Sequence, residues 1–503
     1  MSLRDAAIAV NRFGIGARPG ELDAAAANPR RWLLEQLEGP FETPPQFKGM
    51  ASLTEHQDAY YRYYLVPRAE RIERKGDGIH ATHYRELMFR EIAARINVAA
   101  TTPYPFRERL VRFWYNHFVV PVSKQPVFHS VAPYEREVIR PNITGKFRDF
   151  LVAVEQSPCM IIFLDNNVSY GPNSEYGKKN AVGLNENLGR EILELHTLGV
   201  EGGYTQEDVI ELAKGITGWS VGHPTRSGSV SGAFHFYEDR HEPGPKRLLG
   251  KTYEGGGVTE GLEMLADIAR HPSTATFVSS KLVQYFTTDT PDPDDVKRIA
   301  DVFRQSDGDL MEVTRAVVEL PSAWEAYGSK LRQPWDFVAA VMRATGDTVY
   351  NDDVKPLGTF DLNTYDRSNK AWCFYAENQD RLPKGEELTA FIGKMSPAER
   401  EGWEIFVAFR DVAVMGQRPY YAPGPQGWYD KAENWGGPDT IMKRVEWAIG
   451  KAQHYADRID PVALARATVE PLMSKEAQAE LKAAPSVADG LSILLSSPAF
   501  QRR

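Results

Sequence analysis

The sequence predicts a mainly α protein, a multi-helical compact array with one small β ribbon and several long, functional-looking loops. Apolar residues recur at three- and four-residue spacings through most of the chain. Period-two alternation is confined to "SGAFHFYE" and its neighbour "TGWSV", which together read as one small ribbon. Hydrophobic residues at 42% and charged residues at 25% are ordinary globular values, so the periodicity belongs to packed helices and not to a disordered or fibrous chain.

The elements follow in order. The N-terminus, "MSLRDAAIAVNRF", reads as a helix from its first turn. "HYRELMFREIAARINVAATT" sets Leu87, Ile92 and Ile96 on or near one stripe. "PFRERLVRFWYNHFV" opens on Pro105, which a first turn tolerates, and carries Leu110, Phe113, Trp114 and His117 at helical spacings. "PSTATFVSSKLVQYF", "DPDDVKRIADVFRQS", "GDLMEVTRAVVEL" and "RQPWDFVAAVMRATG" are four further helices. "DTIMKRVEWAIGKAQHYA", "DPVALARATVEPLM", "SKEAQAELKAA" and "SVADGLSILLSSPAF" complete the C-terminal end.

A chain of 503 residues exceeds one ordinary core. The expected organisation is a helical region over 1–219 holding a polar helix hairpin, then a Gly/Pro/Ser-rich excursion over 220–260. A helical region over 261–346 follows, then an insertion with an aromatic-proline loop over 347–438, and last the helices of 439–503. Loops of that length usually carry function.

Net charge is -9 with a pI near 5.8, which disfavours nucleic acid as a partner because phosphate recognition needs a basic face. No apolar run reaches the roughly 18 residues of a membrane span. The N-terminus lacks a signal-peptide pattern, so the cytoplasm is the default expectation, with periplasmic export left open. Cys159 and Cys373 make no disulfide framework, and Cys159, inside "CMIIFL", is expected to be a buried, inert thiol.

The chemistry concentrates in "NENLGREILELHTLG", residues 185–199. At 3.6 residues per turn, Asn187, Glu191 and Glu194 share a polar stripe beside an apolar one of Leu188, Ile192 and Leu195. Arg190 reaches Glu194 or Glu186. His196 falls on the border of the apolar face, away from Glu191, so a site here must borrow its histidine elsewhere. His117 in "FWYNHF" is the candidate, because an exposed imidazole among those aromatics is out of character. Thr205 and Asp208 have capping-box spacing and start a second amphipathic helix through Val209, Leu212, Ala213 and Ile216 towards Trp219.

A helix with one polar stripe is ordinarily a solvated face. Two carboxylates one turn apart beside an arginine are also the material of acid/base catalysis or of a divalent ion site. The enzyme reading makes Glu191, Glu194 and His117 the catalytic groups, or the ligands of a divalent metal cofactor. Asn116, Asn185, Asn187, Arg190 and Trp428 then position substrate, in hydrolysis or group transfer on a carbohydrate or other polymer. The other reading is a non-catalytic helical scaffold whose polar block fixes packing.

"RFGIGARPGE", "RLVRFWYNHFVV", "FLDNNVS", "NENLGREILELHTLGVEGGYTQEDVIELAKGITGW", "FHFYEDRHEPGPKRLLG" and "LSSPAFQRR" occur in this order along the chain. Together they resemble the bacterial domain-of-unknown-function family 1800. The resemblance implies a helical, often exported protein with a sulfatase-like protein as partner, and it transfers no catalytic residue. Tyr115 stands where the family commonly has a second histidine, which weakens a three-histidine metal site.

Other motifs carry less. His235, His241, Glu238, Asp239 and Glu242 could ligate a metal, but their spacing favours a hairpin turn facing water. Lys246 lacks a Walker context, and the Gly14 to Gly20 turn lacks a preceding strand. Tyr420, Tyr421, Trp428, Tyr429 and Trp435 serve as a stacking platform or as a plug onto the helical body.

Overall fold

Short polar residues and prolines start most of the helices. Proline occupies the first turn of Pro105–His117, Pro272–Phe286, Pro293–Gln305, Pro334–Thr345, Pro438–Tyr455 and Pro461–Thr468. Asp292 and Asp460 cap two of these by accepting from backbone N–H groups of the first turn. The computed structural model describes residues 2–39, 41–325, 327–349, 358–361 and 386–503. Within them the helices anticipated from periodicity are present, and the class is mainly α. Parts of the 347–438 insertion, and Cys373, lie outside the described residues. No helix among the described residues is long and apolar enough to cross a membrane.

The longest helix, Gly76–Thr101, is buried along most of its length and packs against Pro397–Ala413 and Pro334–Thr345. One principal apolar cluster runs from Ile8 through Leu110, Ile192 and Phe337 to Phe500, so distant stretches of chain share it. Polar anchors reinforce that sharing. Asn11 Nδ2 donates to Thr468 O at 3.0 Å, and Arg332 donates to Phe500 O at 2.9 Å.

The 14–20 turn has a structural task. Its carbonyls accept from fully buried guanidiniums: Gly14 O from Arg109 at 2.8 Å, Ile15 O from Arg332 at 2.9 Å, and Gly16 O from Arg343 at 2.8 Å. A segment that presents acceptors to cations has the wrong polarity for phosphate.

The ribbon pairs Trp219–Val221 antiparallel with Phe234–Phe236, Trp219 opposite Phe236, as the alternation predicted. A second ribbon, Lys246–Leu248 with Lys251–Tyr253, was not anticipated. The helix from Gln206 ends at Gly215, so Trp219 belongs to the ribbon and not to a longer helix. The 235–246 hairpin also departs from expectation. Glu238 and Asp239 face water, but His241 Nε2 and Lys246 Nζ meet the buried Glu260 carboxylate at 3.1 and 2.8 Å, and Glu242 binds Asn173. Glu260, on a neighbouring helix, supplies the partner that draws them inward.

Candidate active site on the polar helix

Asn185 leads the chain into the helix, its Oδ1 accepting from Asn187 N at 2.9 Å. The α-helix Asn187–Glu191 then passes directly into a π-helical segment, Ile192–Thr197. Leu198 N donates to Leu193 O, five residues back, at 3.0 Å, and the Thr197 hydroxyl donates to Ile192 O at 2.5 Å. Bonds of that span bring residues five apart onto one face, where an α-helix would separate them. Glu191 and His196 are five apart. The same change turns Leu193 fully into the core and leaves Leu195 half-buried, the reverse of the 3.6-residue expectation.

Two close approaches hold this element. A Cβ on Gly189 would lie 3.1 Å from Ala213 N, so glycine lets the Gln206–Gly215 helix pack directly against it. Gly199 ends the segment at φ +83°, and a Cβ there would lie 2.6 Å from the Phe277 ring. The capping box of the second arm forms as read, with the Thr205 hydroxyl accepting from Asp208 N and the Asp208 carboxylate accepting from Thr205 N.

His196 is buried, and its Nδ1 lies 2.8 Å from Oε1 of Glu155, a residue with no exposure. A carboxylate neighbour places the ring proton on Nδ1 and leaves Nε2 as the basic nitrogen. The His196 carbonyl faces His117 Nε2 at 3.0 Å. A carbonyl only accepts, so Nε2 carries the His117 proton, and the buried His117 Nδ1 lone pair has no partner.

Glu191 feels the charge of His196 but forms no hydrogen bond or ion pair with it. Burial pushes its carboxyl above the ordinary range, opposed by the charge of His196 and reinforced by Glu194 and Glu155. Its Oε2 and Glu155 Oε2 are both buried without a hydrogen-bond partner. Burial, with the charge of Lys281 next, holds His117 well below its usual value. Burial lowers Lys281 itself to about 8.

The other anticipated site residues are dispersed. Asn187 is exposed; Arg190 donates to Glu186 at 3.0 Å and to Gln206 at 2.8 Å. Glu194 is half-buried beside Glu191. Asn116 and Trp428 are elsewhere, joined by two hydrogen bonds of 2.9 and 2.7 Å between the Asn116 amide and the Trp428 backbone. No hydrogen bond links His117 to either glutamate. Among the described residues no three His, Cys, Asp or Glu side chains come together as a metal site would require, and that includes His117, Glu191 and Glu194.

Sequence reasoning passed over Glu155, although a signal existed. Glu155 follows Leu151 by four residues and so shares the apolar stripe of Phe147–Glu155, where an acid requires a partner.

The model of the family described as "Protein of unknown function (DUF1800)" matches residues 8–502, nearly the whole chain. The chain belongs to the DUF1800 family. No curated protein and no solved structure matches it. The functional case for this family member therefore rests on its own geometry.

Proposed function

We propose that the protein is an acid/base enzyme, a hydrolase or group-transfer enzyme. In it His196, oriented by Glu155, is the general base and Glu191 is the paired acid. The observation that carries this reading is the incomplete bonding of the cluster. A buried unpartnered acceptor costs about 1–3 kcal/mol, so a bound group that supplies a donor is favoured there. Here two carboxylate oxygens are buried unpartnered around an oriented histidine. Burial that holds the Glu191 carboxyl above its ordinary range lets it keep a proton to donate beside an imidazole base.

Glu191, half-buried, is the member that reaches substrate first. Glycosides are the first substrates to test, followed by esters and phosphoesters. General acid–base groups contribute roughly 10²–10⁴-fold. The test is hydrolysis of a panel of nitrophenyl glycosides, esters and phosphates by the wild type, Glu191→Gln and His196→Gln, with urea unfolding of each. The expected result is a turnover that falls at least about 100-fold in both variants, while Glu191→Gln is no less stable than wild type. Full turnover in Glu191→Gln, or a loss of several kcal/mol of stability on that change, overturns the proposal in favour of a structural network.

A further inference from the structure

A cavity with room for about 40 Å³ of water-sized occupants lies between the Gly76–Thr101, Pro105–His117 and Pro334–Thr345 helices and the aromatic-proline loop. One water needs roughly 10–15 Å³ by that measure, so there is space for a group of a few heavy atoms. Two guanidiniums line it, Arg95 and Arg112, and no carboxylate does.

The charges around it do not balance. Asp336 is shared by Arg109, at 2.5 Å, and Arg112 Nε, at 2.7 Å. Glu135 is shared by Arg95 and Arg140, and Arg140 also holds Glu108. Three buried guanidiniums and the half-buried Arg112 therefore meet three carboxylates. Arg112 uses only its Nε, and its terminal nitrogens donate no hydrogen bond among the described residues. An uncompensated buried charge is expensive unless something occupies the site to pair with it.

Neutral donors repeat the pattern. The Tyr115 hydroxyl and the Trp335 indole N–H are both buried without a partner, and both residues line the cavity at 6% and 3% exposure. Trp335 is held rigidly, with the Arg95 and Arg112 guanidiniums 4.8 and 5.0 Å from its ring centroid. The Asn116 clasp fixes the Trp428 wall. It depends on Gly427, at φ +79°, where a Cβ would lie 2.5 Å from Asn116 O. The donors are thus set in place before any ligand arrives.

We propose that this cavity binds a small oxyanion, a phosphate, sulfate or carboxylate group. The group accepts from the free terminal nitrogens of Arg112, the Tyr115 hydroxyl and the Trp335 indole N–H. Planar guanidinium donors suit such an acceptor, and the aromatic walls take the uncharged part when the group ends a small organic acid. None of these residues belongs to the Glu155, His196 and Glu191 cluster, so the inference is independent of the acid/base proposal.

The test uses the full-length protein. Inorganic phosphate, inorganic sulfate and acetate are titrated by calorimetry at constant ionic strength, with sodium chloride as the balancing salt. Saturable binding of at least one of the three, at one site per chain, is expected. Tyr115→Phe decides the matter, because the hydroxyl it removes has no partner within the protein. The variant should keep the thermal midpoint of the ligand-free protein and weaken anion binding about 10- to 100-fold, the worth of a hydrogen bond to a charged group. Arg112→Gln should abolish binding, and if that variant fails to fold, Tyr115→Phe still discriminates. Absence of saturable binding for all three anions, an equal response to chloride, or unchanged affinity in Tyr115→Phe overturns the inference.

Discussion

Acidification is expected to weaken this protein steadily from about pH 6.5 downwards. Four histidines, His56, His80, His83 and His129, are buried in one aromatic cluster. Tyr63 stacks on His80 with ring centroids 4.1 Å apart, and Tyr84 and Tyr60 lie 4.3 and 4.6 Å from His129. Burial pushes His56 down to about 3, His80 to about 3 and His83 to about 4, and it holds His129 well below the usual value. Neighbouring charges modify this less. Arg136 lowers His56, His83 lowers His56 and His80, and Asp77 opposes the shift at His80.

The sign follows from linkage. These rings stay neutral in the folded chain but protonate near 6.5 in the unfolded one, so the unfolded state binds more protons below that pH. Their contribution is intact above pH 6.5 and is lost as pH falls towards 3–4. At pH 5, 1.5 units below the unfolded value, each ring costs about 2 kcal/mol, and the three with stated values about 6 kcal/mol together. A typical domain has only about 5–15 kcal/mol in hand. The assay is urea unfolding followed by far-UV circular dichroism at pH 7.5, 6.5, 5.5 and 5.0, for the wild type and His80→Phe, whose ring packs but cannot protonate. Stability should fall by about 4 kcal/mol per pH unit below 6, and by about 1.4 kcal/mol per unit less in the variant. A stability flat within about 1 kcal/mol from pH 7 to 5, or an unchanged slope in His80→Phe, refutes the reasoning.

The π-helical register gives a paired expectation. Leu193→Ala should cost about 2–5 kcal/mol by denaturant unfolding, and Leu195→Ala well under half of that, because only Leu193 is fully buried; an α register demands the opposite order. Asp336→Asn, which leaves Arg109 and Arg112 without their shared carboxylate, should destabilise by about 3–5 kcal/mol in the same assay. Burial raises the Cys159 thiol to about 12, so alkylation mapped by mass spectrometry should label it only in denaturant.

Local signals carried the helices. The Thr205 and Asp208 capping box, the first-turn prolines and the buried Val209, Leu212, Ala213 and Ile216 stripe are all properties of a few adjacent residues, and each is found where the sequence places it. The ribbon was legible for the same reason. The site was legible only in part. Its helix stood out by composition, but its register did not, because nothing in "REILELHTLG" distinguishes a π turn from an α turn. Packing against Ala213 and Phe277 coincides with the extra residue. Assuming 3.6 residues per turn moved His196 away from Glu191 and directed attention to His117. Glu155 and the four-histidine cluster depend on partners far apart in sequence, which no periodicity reports. The same is true of Arg95, Arg112 and Trp335, which read singly as ordinary helix residues.

The pairing of Glu191 with His196 across the π turn is the central claim, and a carboxyl titration tests it most directly. The measurement is the ¹³C chemical shift of the Glu191 carboxyl against pH, assigned with Glu191→Gln, in the wild type and in His196→Gln. The Glu191 midpoint should lie above the ordinary 4.5 in the wild type. It should rise further in His196→Gln, which removes the imidazole whose protonated form opposes burial at acid pH. A wild-type midpoint at or below 4.5, or one that His196→Gln leaves unmoved, contradicts it.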